Sequence, residues 1–356
     1  MKEIELKFQI PVDQVDAVKA RIQALAEANG QAPQTLPLHA AYFDTADHVL
    51  ARQKCALRVR REGNEWVQTF KGAGADAMTR LEENRDVPAP ADGRPAPDLS
   101  CHGPAVQAGL ARALNWSPEA DPKGQSLGLK ALYETRFERL HTLQVAPDGS
   151  GSVVVCLDQG LITAGSLASP LAELELELTE GSPLALLALA ADWVSQHGLW
   201  LDVQSKAMKG TRLAKAAASG KPMMAQALHL PADWSETLRQ EASAETGPWL
   251  KALSSSLDVA AGNWTEVALA HPQWEQALVA WHDTLLALDT AARQHTALAE
   301  WLGQAVRDET TLVLDALSDL ARSPNPDGPA AQTLATSAAP TRWALALLTR
   351  LNQPAA

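Results

Sequence analysis

Up to about residue 180 the chain alternates apolar and polar side chains with a period of two, the pattern of half-buried β-strands. Eight such runs predict strands at roughly 2–10, 38–45, 54–62, 65–72, 80–88, 132–145, 152–159 and 171–179. Arg61-Glu62-Gly63-Asn64 and Asp148-Gly149-Ser150-Gly151 read as hairpin turns. Helical spacing predicts helices at about 12–29, 104–115, 183–197 and 205–217, with start signals at Asp13 and Ser182-Pro183. Two stretches read as loops, Pro88 to Pro104 and Ser117 to Gly128. Beyond Lys221 the period is helical throughout. Trp274, Leu278, Trp281, Leu285 and Leu288, for example, share one helix face. Prolines after Ser323 break the last long helix before a terminal one at roughly 331–352. The segment Ala218 to Met224, with Ser219-Gly220 and Pro222, reads as a linker. The expected fold is α+β. An eight-stranded antiparallel β-barrel with flanking helices spans 1–217, and an all-α helical domain spans 225–356.

Composition narrows the function classes. A length of 356 residues with 46% hydrophobic side chains suffices for two sizeable cores. The formal charge of −12 argues against nucleic-acid binding by bulk electrostatics but permits a local basic pocket. Residues 216–356 hold eight Lys and Arg against fifteen Asp and Glu, which disfavours polyanion binding there. Cys55, Cys101 and Cys156 fall outside any CxxC or Cys/His spacing and read as reduced thiols, with Cys55 and Cys156 inside strands. The charged opening strand does not read as a signal peptide, and the most apolar run, Leu184 to Ala191, is too short to span a bilayer. A cytoplasmic location without membrane contact is expected, and the oligomeric state is left open.

The chemistry lies on the polar faces. In the first strand Glu3, Glu5 and Lys7 share one face and Ile4, Leu6 and Phe8 the other. Alone, this is an ordinary half-buried strand. The last strand, however, repeats the pattern with Glu173, Glu175 and Glu177, three carboxylates ~6.6 Å apart at strand rise. They repel one another unless cations neutralise them. Strands in between supply those cations: Arg58 and Arg60 on one face, then Lys71 beside Val67 and Thr69, Arg80 beside Glu82 and Asn84, and Arg139 beside Phe137. Arg61 and Arg136 fall on outward faces. A lumen of this kind has one coherent use: cations bind phosphate oxygens, and carboxylates hold divalent ions that bind the same phosphates. Oxygen donors without histidine favour Mg²⁺ or Mn²⁺ over Zn²⁺. No Ser–His or Cys–His pairing suggests a covalent nucleophile.

These residues resemble a known family. Glu3-x-Glu5-x-Lys7 is similar to the ExExK signature of the CYTH superfamily, the triphosphate tunnel metalloenzymes. The resemblance continues through Tyr42-Phe43-Asp44-Thr45, Leu57-Arg58-Val59-Arg60, Thr69-Phe70-Lys71-Gly72, Arg80-Leu81-Glu82 and Thr135-x-Phe137-x-Arg139. It ends with Leu157-Asp158-Gln159-Gly160, the Glu173–Leu178 strand and Ser205-Lys206-Ala207, so the ordered set spans nearly all of residues 1–215. Membership implies a tunnel in which Lys7, Arg58, Arg60, Lys71, Arg80, Arg139 and Lys206 bind phosphate. It implies metal ligation by Glu3 and Glu5 with a carboxylate of the last strands, Glu177 first and then Asp158 and Glu175, and a catalytic group of Glu3, Glu5 and Lys7. Asn84 and Thr142 depart from the common pattern, and the first leaves a second metal open.

The resemblance lies nearest to bacterial inorganic triphosphatases, in which a CYTH domain precedes a helical CHAD domain. The helical half here is short, acidic and only weakly CHAD-like, so it reads as a partial or degenerate extension whose Trp stripe packs a core. The leading expectation is metal-dependent hydrolysis of a small inorganic triphosphate. Thiamine-triphosphatase, nucleotide or RNA 5′-triphosphatase and class IV adenylyl cyclase share the tunnel as alternatives. With four Phe and two Tyr in the whole chain, no lumen strand is rich in aromatic side chains for an organic group. A non-catalytic polyphosphate sensor is the alternative of another class, disfavoured by so many metal-type carboxylates. Every assignable motif precedes the linker, so a chain ended near Ser219 is expected to keep activity, at some cost in folding.

Overall fold

A computed structural model of the chain describes residues 2–73, 78–90, 93, 95–239 and 247–353. The eight expected strands form β1 (Lys2–Gln9), β2 (Gln34–Asp44), β3 (Ala56–Glu62), β4 (Glu65–Ala73), β5 (Thr79–Asp86), β6 (Lys130–Val145), β7 (Gly151–Ala164) and β8 (Leu167–Gly181). The sheet nevertheless has nine strands among the described residues, in the order β5-β4-β3-β2-β6-β7-β8-β1-β9, and β1 also pairs with β5. The extra strand, β9 (Trp200–Leu201), is only two residues long, too short for alternation to reveal. It exists because its neighbours satisfy it: the Leu201 N–H donates to Thr341 Oγ1 at 2.8 Å, and its carbonyl accepts from Trp264 Nε1 at 2.9 Å.

Strands β7 and β8 run well past their expected ends and meet at a tight turn, with Ala164 opposite Leu167. Gly160 and Pro170 both lie in the ladder. The glycine is required by close approach, since a Cβ there would stand 2.1 Å from the Arg136 carbonyl oxygen. Cys55 falls just before β3 rather than inside a strand, and Cys156 is buried in β7; all three cysteines are free thiols.

The flanking helices are α1 (Val15–Ala28), α2 (Val49–Arg52), α3 (Pro104–Leu114), α4 (Pro183–His197) and α5 (Lys206–Ser219). The α4 helix starts on Pro183 and ends at Gly198, whose φ of 60° suits a residue without a Cβ. The helical half contains α6 (Trp234–Arg239), α7 (Gly247–Ala268), α8 (Trp274–Gln294), α9 (Thr296–Arg322), α10 (Gly328–Ala335) and α11 (Ala338–Asn352). The expected single terminal helix is thus two, because Ser337 caps a new start by accepting the Ala339 N–H. No helix of the described residues is long and apolar enough to cross a membrane.

One apolar cluster joins both halves. The outer side chains of β1 and β8, such as Leu6, Phe8, Leu174 and Leu176, belong to it with Trp193 of α4 and with Trp264, Trp281 and Trp343 of the helical half. Trp264 meets Trp281 and Trp343 edge-on, at centroid distances of 5.9 and 6.2 Å. Trp264→Ala should therefore destabilise the fold by about 3–5 kcal/mol, read from urea denaturation. For the same reason a chain ended at Ser219 should lose cooperative thermal unfolding by circular dichroism, because it uncovers this face and unpairs Leu201.

Candidate functional site

The inner strand faces line a cavity of about 670 Å³. Its described lining holds ten Lys or Arg and seven Asp or Glu, a local positive excess inside an acidic chain. Strand alternation turns Glu3, Glu5 and Lys7 of β1 inward, and antiparallel register sets Glu5 opposite Glu177 of β8. One carboxylate oxygen each from Glu3, Glu5 and Glu177 lies within 4.8 Å of the others. Burial pushes the Glu3 carboxyl up to about 8, reinforced by a hydrogen bond with Glu82 and the charge of Glu5, although Lys71 at 3.2 Å opposes it. Burial raises Glu177 as well. At this corner three carboxylates crowd together, with Lys71 3.2 Å from Glu3 and Arg139 3.5 Å from Glu177.

One step further along β8 the cations stand closer. Asp158 and Glu175, expected among the metal ligands, are gripped by cations. Arg139 Nε and Nη2 each donate to Asp158 at 2.7 Å, and Nη2 also reaches Glu175. Lys206 Nζ lies 2.8 Å from Asp158, 2.9 Å from Glu173 and 2.7 Å from Glu175. Burial alone would raise Glu175, but Lys206 and Arg139 outweigh it and hold the carboxyl well below the usual range. The same carboxylates keep buried Lys206 well above the ordinary lysine value despite desolvation. Of the five expected ligands, three converge as a set and two serve the cations.

The other expected phosphate-binding residues surround the cavity. Lys7 Nζ stands 3.6 Å from Glu173 and 3.5 Å from Asp202, and donates to the Gln204 carbonyl. Arg58 lies 3.9 Å from Glu82 and donates to Tyr42 Oη at 3.4 Å; these partners outweigh desolvation and hold its guanidinium firmly charged. Lys71 pairs with Glu3 and Glu82, and Arg60 with Glu62. The Arg80 backbone pairs with Glu3, but its side chain lies outside the described residues. Arg61 and Arg136 are exposed. Asn84 lines the cavity, where its Nδ2 donates to Glu82 at 2.8 Å and its Oδ1 accepts from Thr69.

Two charged participants are absent from the sequence reading, and Tyr42 enters it only as part of a motif. Lys209 pairs with Glu173 and Asp202 at 2.6 Å each. It stands one helical turn after Lys206 on α5, and that i, i+3 spacing is a usable signal. Asp202 gives none, since β9 is what carries it into place. Tyr42 stacks on Tyr133 at 4.7 Å and lines the cavity, so the lumen is not free of aromatic rings.

The chain is similar to several known proteins. The CYTH domain profile matches residues 1–210. An inorganic triphosphatase from Haemophilus influenzae is 29% identical over 211 residues, 59% of this chain and 54% of that protein. The chain thus spans about half the length of that curated relative. Among solved structures, a Hippeastrum protein reported to have a dominant triphosphatase activity is 20% identical, with a TM-score of 0.38 over 62% of this chain and 96% of that one. A protein from Pyrococcus horikoshii is 18% identical, with a TM-score of 0.36 over 58% of this chain and 97% of that one.

Proposed function

Because this chain belongs to the CYTH family, we propose that it hydrolyses inorganic triphosphate to pyrophosphate and phosphate. In this reading residues 1–217 form the domain whose eight longer strands, joined by the β1–β5 pairing, make the tunnel, and residues 225–356 form a helical domain packed on it. The observation that carries the reading is the division of charge within one cavity. Glu3, Glu5 and Glu177 crowd together at one corner, three carboxylates against Lys71 and Arg139, and Arg and Lys side chains line the rest.

A divalent ion fits that corner: three oxygen donors within mutual reach, no nitrogen or sulfur donor, and a burial cost that positive charge would relieve. Bound there, Mg²⁺ or Mn²⁺ supplies charge neutralisation for the phosphate oxygens. The remaining work belongs to the chain. Lys7, Arg58, Arg60, Lys71, Arg139 and Lys206, with Arg80 by its place in the motif, hold the phosphate oxygens. Glu3 or Glu5 takes the proton of a water that attacks the terminal phosphorus. The bridging P–O bond then breaks and pyrophosphate leaves with the electron pair.

The decisive experiment is phosphate release with Mg²⁺ or Mn²⁺ from tripolyphosphate, ATP, thiamine triphosphate and longer polyphosphate. The highest kcat/KM is expected for tripolyphosphate. A preference for an organic triphosphate would reassign the substrate, and binding without turnover of any of them would make the protein a sensor.

A further inference from the structure

The cavity is also walled by the helical half. Gly262 and Glu266 of α7, and Leu228 from the segment before α6, line it beside Gln204 and Arg212. Leu228 is pinned to α7: its N–H donates to Asn263 Oδ1 at 2.8 Å, and its carbonyl accepts from Asn263 Nδ2 at 2.9 Å. Its side chain needs the bare Gly262, where a Cβ would stand 2.4 Å from Leu228 Cδ1. Glu266 is buried with both oxygens in use. Gln204 Nε2 donates to Oε1 at 2.8 Å, and Arg212 grips both oxygens, with Nη2 2.9 Å from Oε2. Arg212 Nη1 also donates to Gln204 Oε1 at 3.3 Å, so the Gln204 amide is held at both ends. A buried carboxylate is costly unless paired. Here the pairing ties α7 to the turn that precedes α5.

That turn carries the cationic side of the cavity. The Gln204 carbonyl accepts from Lys7 Nζ, and the Gln204 N–H donates to Asp202 Oδ1 at 2.8 Å. Ser205 caps α5, whose first residue is Lys206. We propose that Glu266 is a positioning residue: through Gln204 and Arg212 it fixes the turn that sets Lys7 and Lys206. The helical half is then a working part of the tunnel rather than an appended module. This inference rests on the triphosphate reading of the cavity. Misplacing a binding group by a fraction of a contact distance weakens its grip on an anion steeply.

The test uses the full chain. Glu266→Ala and Gln204→Ala should each raise KM for tripolyphosphate about tenfold with less change in kcat, because Glu3, Glu5 and Glu177 are untouched. Glu266→Gln keeps an acceptor for Gln204 and should recover part of the loss. Leu317→Ala opens a void in the buried core of α9 and provides a destabilised control whose KM stays at the wild-type value. A readout independent of turnover is the acylation rate of Lys7 and Lys206 by a small amine-reactive ester, followed by mass spectrometry. It should change several-fold in Glu266→Ala and Gln204→Ala and stay constant in Leu317→Ala. Wild-type KM and wild-type labelling in folded Gln204→Ala overturn the inference. A wild-type protein inert towards tripolyphosphate overturns the functional reading instead, and the labelling still decides this one.

Discussion

EDTA should bring phosphate release from tripolyphosphate to background, a loss on the order of 10³-fold, and added Mg²⁺ or Mn²⁺ should restore it. A triphosphate carries about four negative charges near neutral pH, and attack by water adds charge at the reacting phosphorus. Arg58, Arg60 and Arg139 already spend part of their charge on Tyr42, Glu62 and Asp158. The Glu3–Glu5–Glu177 corner, by contrast, has carboxylates in excess. Without a cation it would repel the substrate that the rest of the cavity attracts. Full activity in a metal-stripped sample, verified by elemental analysis, would overturn the assignment of that corner.

Substitution should separate the two poles of the cavity. Glu5→Gln keeps the shape of the side chain and removes its charge beside Glu177, its partner in register. It should lower kcat by ~10²-fold or more, and excess Mg²⁺ should recover part of that loss. Arg58→Ala removes a buried guanidinium from the phosphate-binding wall, and no metal concentration should rescue it. If Arg58 contacts the bound chain equally in ground and transition states, the loss falls on KM; if it stabilises charge developing at the leaving oxygen, kcat falls too. A matrix of Mg²⁺ and tripolyphosphate concentrations resolves these cases. Wild-type kinetics in both folded variants would mean that the two residues have no part in turnover.

Alternation alone was enough to place Glu3, Glu5 and Lys7 on one strand face and Glu173, Glu175 and Glu177 on another, because a strand's side-chain period is two whatever surrounds it. It likewise located the eight long strands, although β2, β7 and β8 extend about four or five residues beyond an expected limit, and placed the helices at 104–115 and 183–197 to within a residue. The buried stripe Leu278, Trp281, Leu285 and Leu288 follows from helical period in the same way. Such local rules stop where an element exists only through its neighbours. Strand β9 is held by Thr341 and Trp264, and the late part of β7 and the early part of β8 tolerate Gly160 and Pro170 because the facing strands fit them.

The division of labour among the carboxylates also needed the tertiary structure. Alternation makes Asp158, Glu175 and Glu177 equivalent acids on neighbouring strands, and only the family resemblance puts Glu177 first. In the fold, Arg139 from β6 and Lys206 from α5 grip the first two at 2.7 Å, whereas Arg139 reaches Glu177 only at 3.5 Å and Glu177 lies with Glu3 and Glu5. What separates them is distance to a cation brought from elsewhere in the chain, and Coulomb energy depends on that separation in space and on burial, not on spacing along the chain. The same reason hides Glu266, which lies 62 residues from Gln204 in sequence and 2.8 Å away in the structure.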